Sequence, residues 1–114
     1  MATCSGMVRS LNGLVVTFSG RIELDGIRTT HEDCGALIRS HGASWSDDFG
    51  ALTDLVVSGL QDDLNYEGSG RSRKVMLARR SNGPSSRRPH VHMIQESGLS
   101  QLLNGRSTKC LNNP

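Results

Sequence analysis

At 114 residues the chain has room for one domain with a modest core, and too little for separate substrate and cofactor domains. Apolar residues make up 35% of it, and no stretch approaches the roughly 18 to 20 that a membrane span needs. A net charge of +2 is by itself too small to mark a nucleic-acid binder, and three widely spaced cysteines (Cys4, Cys34, Cys110) argue against a disulfide framework.

The opening residues MATCSGMVRS do not resemble a secretory leader, and residues 1–11 read as a disordered tail. Residues 14–18, in the stretch LVVTFSGRI, form a continuous β-branched and apolar run, the pattern of a parallel strand covered on both faces. The run stops on Ser19-Gly20-Arg21. A hydroxyl, a bare glycine and a guanidinium are together the residue types that hold an anion.

Thr29 followed by Glu32 reads as a capping box, and Cys34, Leu37, Ile38 and His41 then fall at i, i+3, i+4 and i+7 of an amphipathic helix ended by Gly42. Residues 43–46 make a short strand and residues 52–57 a second apolar one. Residues 58–70 are a polar, glycine-containing loop. A second helix fits residues 72–82, with Val75 and Ala78 inward, before Gly83-Pro84 stops it.

Residues 90–94 make a fourth strand, and Leu99, Leu102 and Leu103 mark a short closing helix that ends near Gly105. Residues 106–114 read as a second disordered tail. The foldable unit is therefore 12–105, with the order β-α-β-β-α-β-α. That order predicts an α/β fold in which a small, four-stranded, mainly parallel sheet is flanked by about three helices.

Charge is unevenly placed. Residues 47–67 hold Asp47, Asp48, Asp54, Asp62, Asp63 and Glu67 with no basic residue, whereas residues 71–88 hold Arg71, Arg73, Lys74, Arg79, Arg80, Arg87 and Arg88 with no acid. One end of the fold is expected to be positive, which suits a polyanion or phosphate; a solvated basic helix face is the plainer reading.

The segments GLVVTFSG, ALIRSHGA, LTDLVVSG and SRKVMLA, in this order and spacing, resemble a BRCT domain over about residues 12–105. The likeness is greatest to the single BRCT domains of bacterial NAD-dependent DNA ligases and of the clamp-loader large subunit. It implies a phosphate pocket made by Ser19, the amide of Gly20, and Lys74, which is followed by Ala78 at the family's Lys-x-x-x-Ala spacing. A further basic ligand near the first helix corresponds to Arg28 by chemistry or to His31 by position, and Arg21 either adds a bidentate contact or points to solvent. Two positions depart from the family: His41-Gly42 keeps one glycine of a Gly-Gly turn, and Leu99 stands where a large aromatic is usual.

Other chemistry finds less support. His90 and His92, set beside His31 and Cys34, do not make a zinc motif, because no CxxC or HxxxH accompanies them. EGSGRSRK lacks the GxxxxGK[ST] spacing of a P-loop, and no GxSxG nucleophile occurs. The expectation is a non-catalytic module with neither cofactor nor metal, acting in replication or repair in a bacterial cytoplasm or a eukaryotic nucleus. Its ligand would be DNA, held at a 5'-phosphorylated duplex end by Ser19, Gly20 and Lys74, with Arg71, Arg73, Arg79, Arg80, Arg87 and Arg88 on the flanking backbone. The alternative is a protein-interaction module for a phosphorylated or unmodified partner protein; in either case the chain would be a domain of, or work with, a DNA ligase, polymerase or nuclease.

Overall fold

A computed structural model describes residues 6–59, 77, 78, 80 and 90–112. The elements in chain order are β1 (Met7–Val8), β2 (Val15–Ser19), β3 (Ile22–Leu24), β4 (Ile27–Thr29), α1 (His31–Arg39), β5 (Ser44–Trp45), β6 (Leu55–Ser58), β7 (His92–Gln95), α2 (Glu96–Leu103) and β8 (Thr108–Lys109).

The apolar run after Gly13 becomes β2, an inner strand of a four-stranded sheet ordered β5-β2-β6-β7, in which every pairing is parallel. A strand in this position has no wet face, and Val16, Thr17, Phe18 and Ser19 are all buried. Alternation along the strands divides the core. Val16, Phe18, Leu55, Val57 and Ile94 pack with Cys34 and Ile38 of α1 and with Leu99 and Leu102 of α2, while Val56 packs on the other side with Ala78, Val91 and Phe49. The sheet is thus covered on both faces. Leu77, Ala78 and Arg80 are helical, at the centre of the helix expected over 72–82, whose remaining residues lie outside those described.

The first helix starts one residue later than the capping box suggested. Thr29 is the last ladder residue of β4, so Thr30 takes the N-cap and its side-chain oxygen accepts from the Asp33 amide at 3.1 Å. The buried face is also narrower than the spacing implied: Cys34, Gly35 and Ile38 face the core, whereas Leu37 and His41 are exposed. Gly35 is required there because a Cβ would stand 2.7 Å from the Trp45 ring. The second apolar strand likewise begins at Leu55, not 52. Leu52 is exposed, and Thr53 and Asp54 are spent on the turn, accepting from the amides of Gly50 and Val15.

Two ribbons were not anticipated. β3 and β4 form an antiparallel hairpin in a stretch to which the sequence assigns no element, and β1 pairs antiparallel with β8. The second ribbon corrects the expectation of disordered tails for residues 6–11 and 106–112. Val8, Leu11, Thr108, Cys110 and Asn112 are buried, the Cys110 amide donates to Gly6, and the Leu111 amide donates to the Met93 carbonyl on β7. No described helix is long and apolar enough to cross a membrane.

Asn112 is the clasp of this terminal segment. Its buried Nδ2 donates to the carbonyls of Ala78 and Val91, each at 2.9 Å, tying the helical residues of one face to the approach to β7. Removing the amide leaves two carbonyls without that donor, so Asn112→Ala should cost about 2 to 3 kcal/mol. Urea unfolding would show this as a lower midpoint at unchanged slope; an unchanged midpoint would mean that the terminal segment adds nothing to the fold.

Candidate anion-binding site

Strand β2 feeds α1 and then β5 on one side of the sheet, whereas β6 precedes β7 on the other. The carboxyl ends of β2 and β6 therefore lie at a topological switch point, the position where open parallel sheets bind ligands. Both strands end in Ser-Gly. Ser19 pairs with Ser58, and the Gly59 amide donates to the Ser19 carbonyl at 2.9 Å. A Cβ on Gly59 would fall 1.7 Å from the Arg21 carbonyl oxygen, so only glycine lets the turn after β2 settle against the end of β6. Gly20 makes that turn with φ 74°.

The β3–β4 hairpin carries Arg28 back to the same place. Its two-residue turn is Asp25-Gly26, with φ 53° and 81°, the left-handed pair that a type I′ turn demands. The register sets Glu23 opposite Arg28 and Ile22 opposite Thr29. Buried Ile22 and Leu24 anchor the ribbon, and the carboxylate of Glu96, in the first turn of α2, accepts from the Glu23 amide at 2.6 Å. From α1, the His31 ring packs on Phe18 with centroids 5.7 Å apart, and its Nε2 lies 2.6 Å from the Gly20 carbonyl oxygen. A carbonyl can only accept, so Nε2 carries the proton and donates it.

The result is a pocket of about 150 Å³ lined by Gly20, Arg21, Ile22, Arg28, Thr29, Thr30 and His31. No family model, curated protein or solved structure matches the chain. The site's chemistry is accordingly read from its own residues. At about 30 Å³ per water the pocket has room for about five waters, which suits one small charged group and falls short of the roughly 300 Å³ that a drug-sized ligand needs. The end of α1 offers about half a unit of positive charge, and Glu32 and Asp33 in its first turn already complement that charge. The full charges of the exposed Arg21 and Arg28 are thus the dominant attraction, and their planar guanidiniums suit an oxyanion.

Of the residues expected to hold phosphate, Gly20, Arg21 and Arg28 meet in this pocket, and His31 joins them as the residue that fixes the Gly20 carbonyl. Ser19 does not line it. As the last ladder residue of β2 it is enclosed beside β6 and only 2% exposed. Arg80 is exposed on the helical turn, whereas Lys74, Arg71, Arg73, Arg79, Arg87 and Arg88 lie outside the described residues. Thr30 and Gly59 had not been singled out, although the repeated Ser-Gly at two strand ends was a signal for Gly59.

Gly59→Ala should destabilise the domain by about 1 to 3 kcal/mol, since a backbone oxygen cannot swing aside as a side chain can. Gly50→Ala, at a position where a Cβ meets nothing within 4 Å, is the matched control and should stay within about 0.5 kcal/mol of wild type. Equal midpoints for the two variants in thermal unfolding would contradict the close approach of Gly59 to Arg21.

Proposed function

We propose that the chain is a non-catalytic, BRCT-like module that binds a phosphate group on DNA, with a 5'-phosphorylated duplex end as its preferred ligand. The single observation that carries this reading is the meeting of Gly20, Arg21 and Arg28 around a pocket sized for one phosphate, at the switch point of a parallel sheet. The BRCT-like part is supported by the sheet order and by helical segments on both faces, which follow β-α-β-β-α-β-α once the two ribbons are set aside.

In this reading the terminal phosphate sits against the Gly20–Arg21 turn. Arg21 and Arg28 grip its oxygens from two separate elements, while His31 holds the turn's carbonyl away from the anion. Ser19, enclosed as the last ladder residue of β2, takes no direct part in the contact. Arg71, Arg73, Arg79, Arg80, Arg87 and Arg88 would meet the flanking backbone, which carries affinity without reading base sequence, and Lys74 would add its charge at the phosphate.

The test is fluorescence anisotropy of a labelled DNA hairpin ending in a 5'-phosphate or a 5'-hydroxyl, titrated with wild type and with the Arg21→Ala/Arg28→Ala variant. Both side chains are exposed, so the variant should fold normally. Hydrogen bonds to a charged group are worth about 1.5 to 3 kcal/mol, so the variant should lose roughly ten- to hundredfold of the affinity for the phosphorylated hairpin. The phosphate preference should vanish with it, and wild-type binding should weaken steeply with salt. Equal binding of the two hairpins by wild type would overturn the proposal and leave a protein partner as the alternative.

A further inference from the structure

Away from the switch point, the edge strand β7 and its approach gather three donor side chains. His90 and His92 stand two residues apart at the start of the strand, and their rings meet edge to face with centroids 4.9 Å apart. The terminal segment, held by the Leu111 amide on Met93 and by Asn112, brings Cys110 to the pair. One ligand atom from each residue lies within 4.8 Å of the others. The sequence reading had set His90 and His92 beside His31 and Cys34 and found no motif. Chain folding supplies a different thiol, and does so from the segment expected to be a disordered tail.

We propose that His90, His92 and Cys110 form a binding site for a divalent cation of the zinc class, with the fourth coordination position open to water. The separation of Cys110 from His90 fits such an ion. Zn–N bonds of about 2.0 to 2.1 Å and a Zn–S bond of about 2.3 Å, set at tetrahedral angles, place nitrogen and sulfur about 3.5 to 3.6 Å apart. Cys110 Sγ and His90 Nε2 are 3.5 Å apart. Without metal, one proton is shared across that contact; on binding, the thiol proton leaves to solvent and the cation takes its place as Cys110 coordinates as thiolate.

The surroundings favour ligation. The Asp54 carbonyl accepts from the His92 amide at 2.8 Å, so the backbone that bears the site is fixed. The two histidines are only half-buried, which leaves a route for the ion. Cys34 does not compete: it is fully buried in the core and its thiol is pushed up to about 11 by burial and by Asp33. A cation here would staple the C-terminal segment to the edge of β7.

Titration of the reduced, metal-free chain with Co²⁺ tests the site. The expected result is a thiolate-to-cobalt charge-transfer band with tetrahedral ligand-field bands, saturating at one ion per chain, lost in Cys110→Ser and kept in Cys34→Ser. Because Cys110 is buried and its replacement can disturb folding, wild type supplies an independent reading: Zn²⁺ should slow alkylation of Cys110 and raise the thermal midpoint. Overturning results are a band that survives in Cys110→Ser, or the absence of both zinc effects in wild type.

Discussion

Four consecutive residue pairs, from Val16 with Leu55 to Ser19 with Ser58, hold β2 parallel to β6, and the pairing ends where the Gly59 amide meets the Ser19 carbonyl. Parallel strands need a crossover, and the two crossovers leave this pair in opposite directions. The crevice at the carboxyl end of the pair is thus a consequence of topology, before any polar residue is considered. What the sequence adds there is permissive backbone and positive charge: Gly20 to turn, Gly59 to allow contact, and the exposed Arg21 and Arg28.

The remaining elements serve this arrangement at graded cost. Buried apolar contacts on both faces fix the sheet, while the hairpin that carries Arg28 is anchored by Ile22, Leu24 and the Glu96–Glu23 hydrogen bond. Thr30 and His31 reach the pocket because the helix cap and the pocket wall are the same residues. A change at the helix start would therefore be felt at Gly20 through the His31 hydrogen bond, though neither residue belongs to the sheet's core.

Much of this was legible. The run at residues 14–18 announced a strand covered on both faces, and Ser19-Gly20 announced where it ends, because both signals are local. The hairpin was missed although Asp25-Gly26 is a strong turn signal, since three-residue strands are too short to show a period of two. Leu37 and His41 were placed inward by spacing alone, but a nine-residue helix on a small sheet buries only a narrow stripe. Ser19 illustrates a finer limit: sequence placed the end of β2, while only coordinates separate a residue that lines a pocket from one that ends a ladder. The β1–β8 ribbon and the approach of Cys110 to His90 join distant segments through two-residue strands, and no periodicity or spacing encodes such contacts.

The central claim is that the turn after β2 is an anion site. Proton–nitrogen correlation NMR of the isotopically labelled chain, titrated with a 5'-phosphorylated dinucleotide and separately with its 5'-hydroxyl counterpart, addresses it residue by residue. The account expects the amides of Gly20, Arg21, Arg28 and His31 to shift together along one saturating curve with the phosphorylated ligand, and to stay still with the other. Shifts of equal size with both ligands, or shifts confined to residues away from this turn, would contradict it.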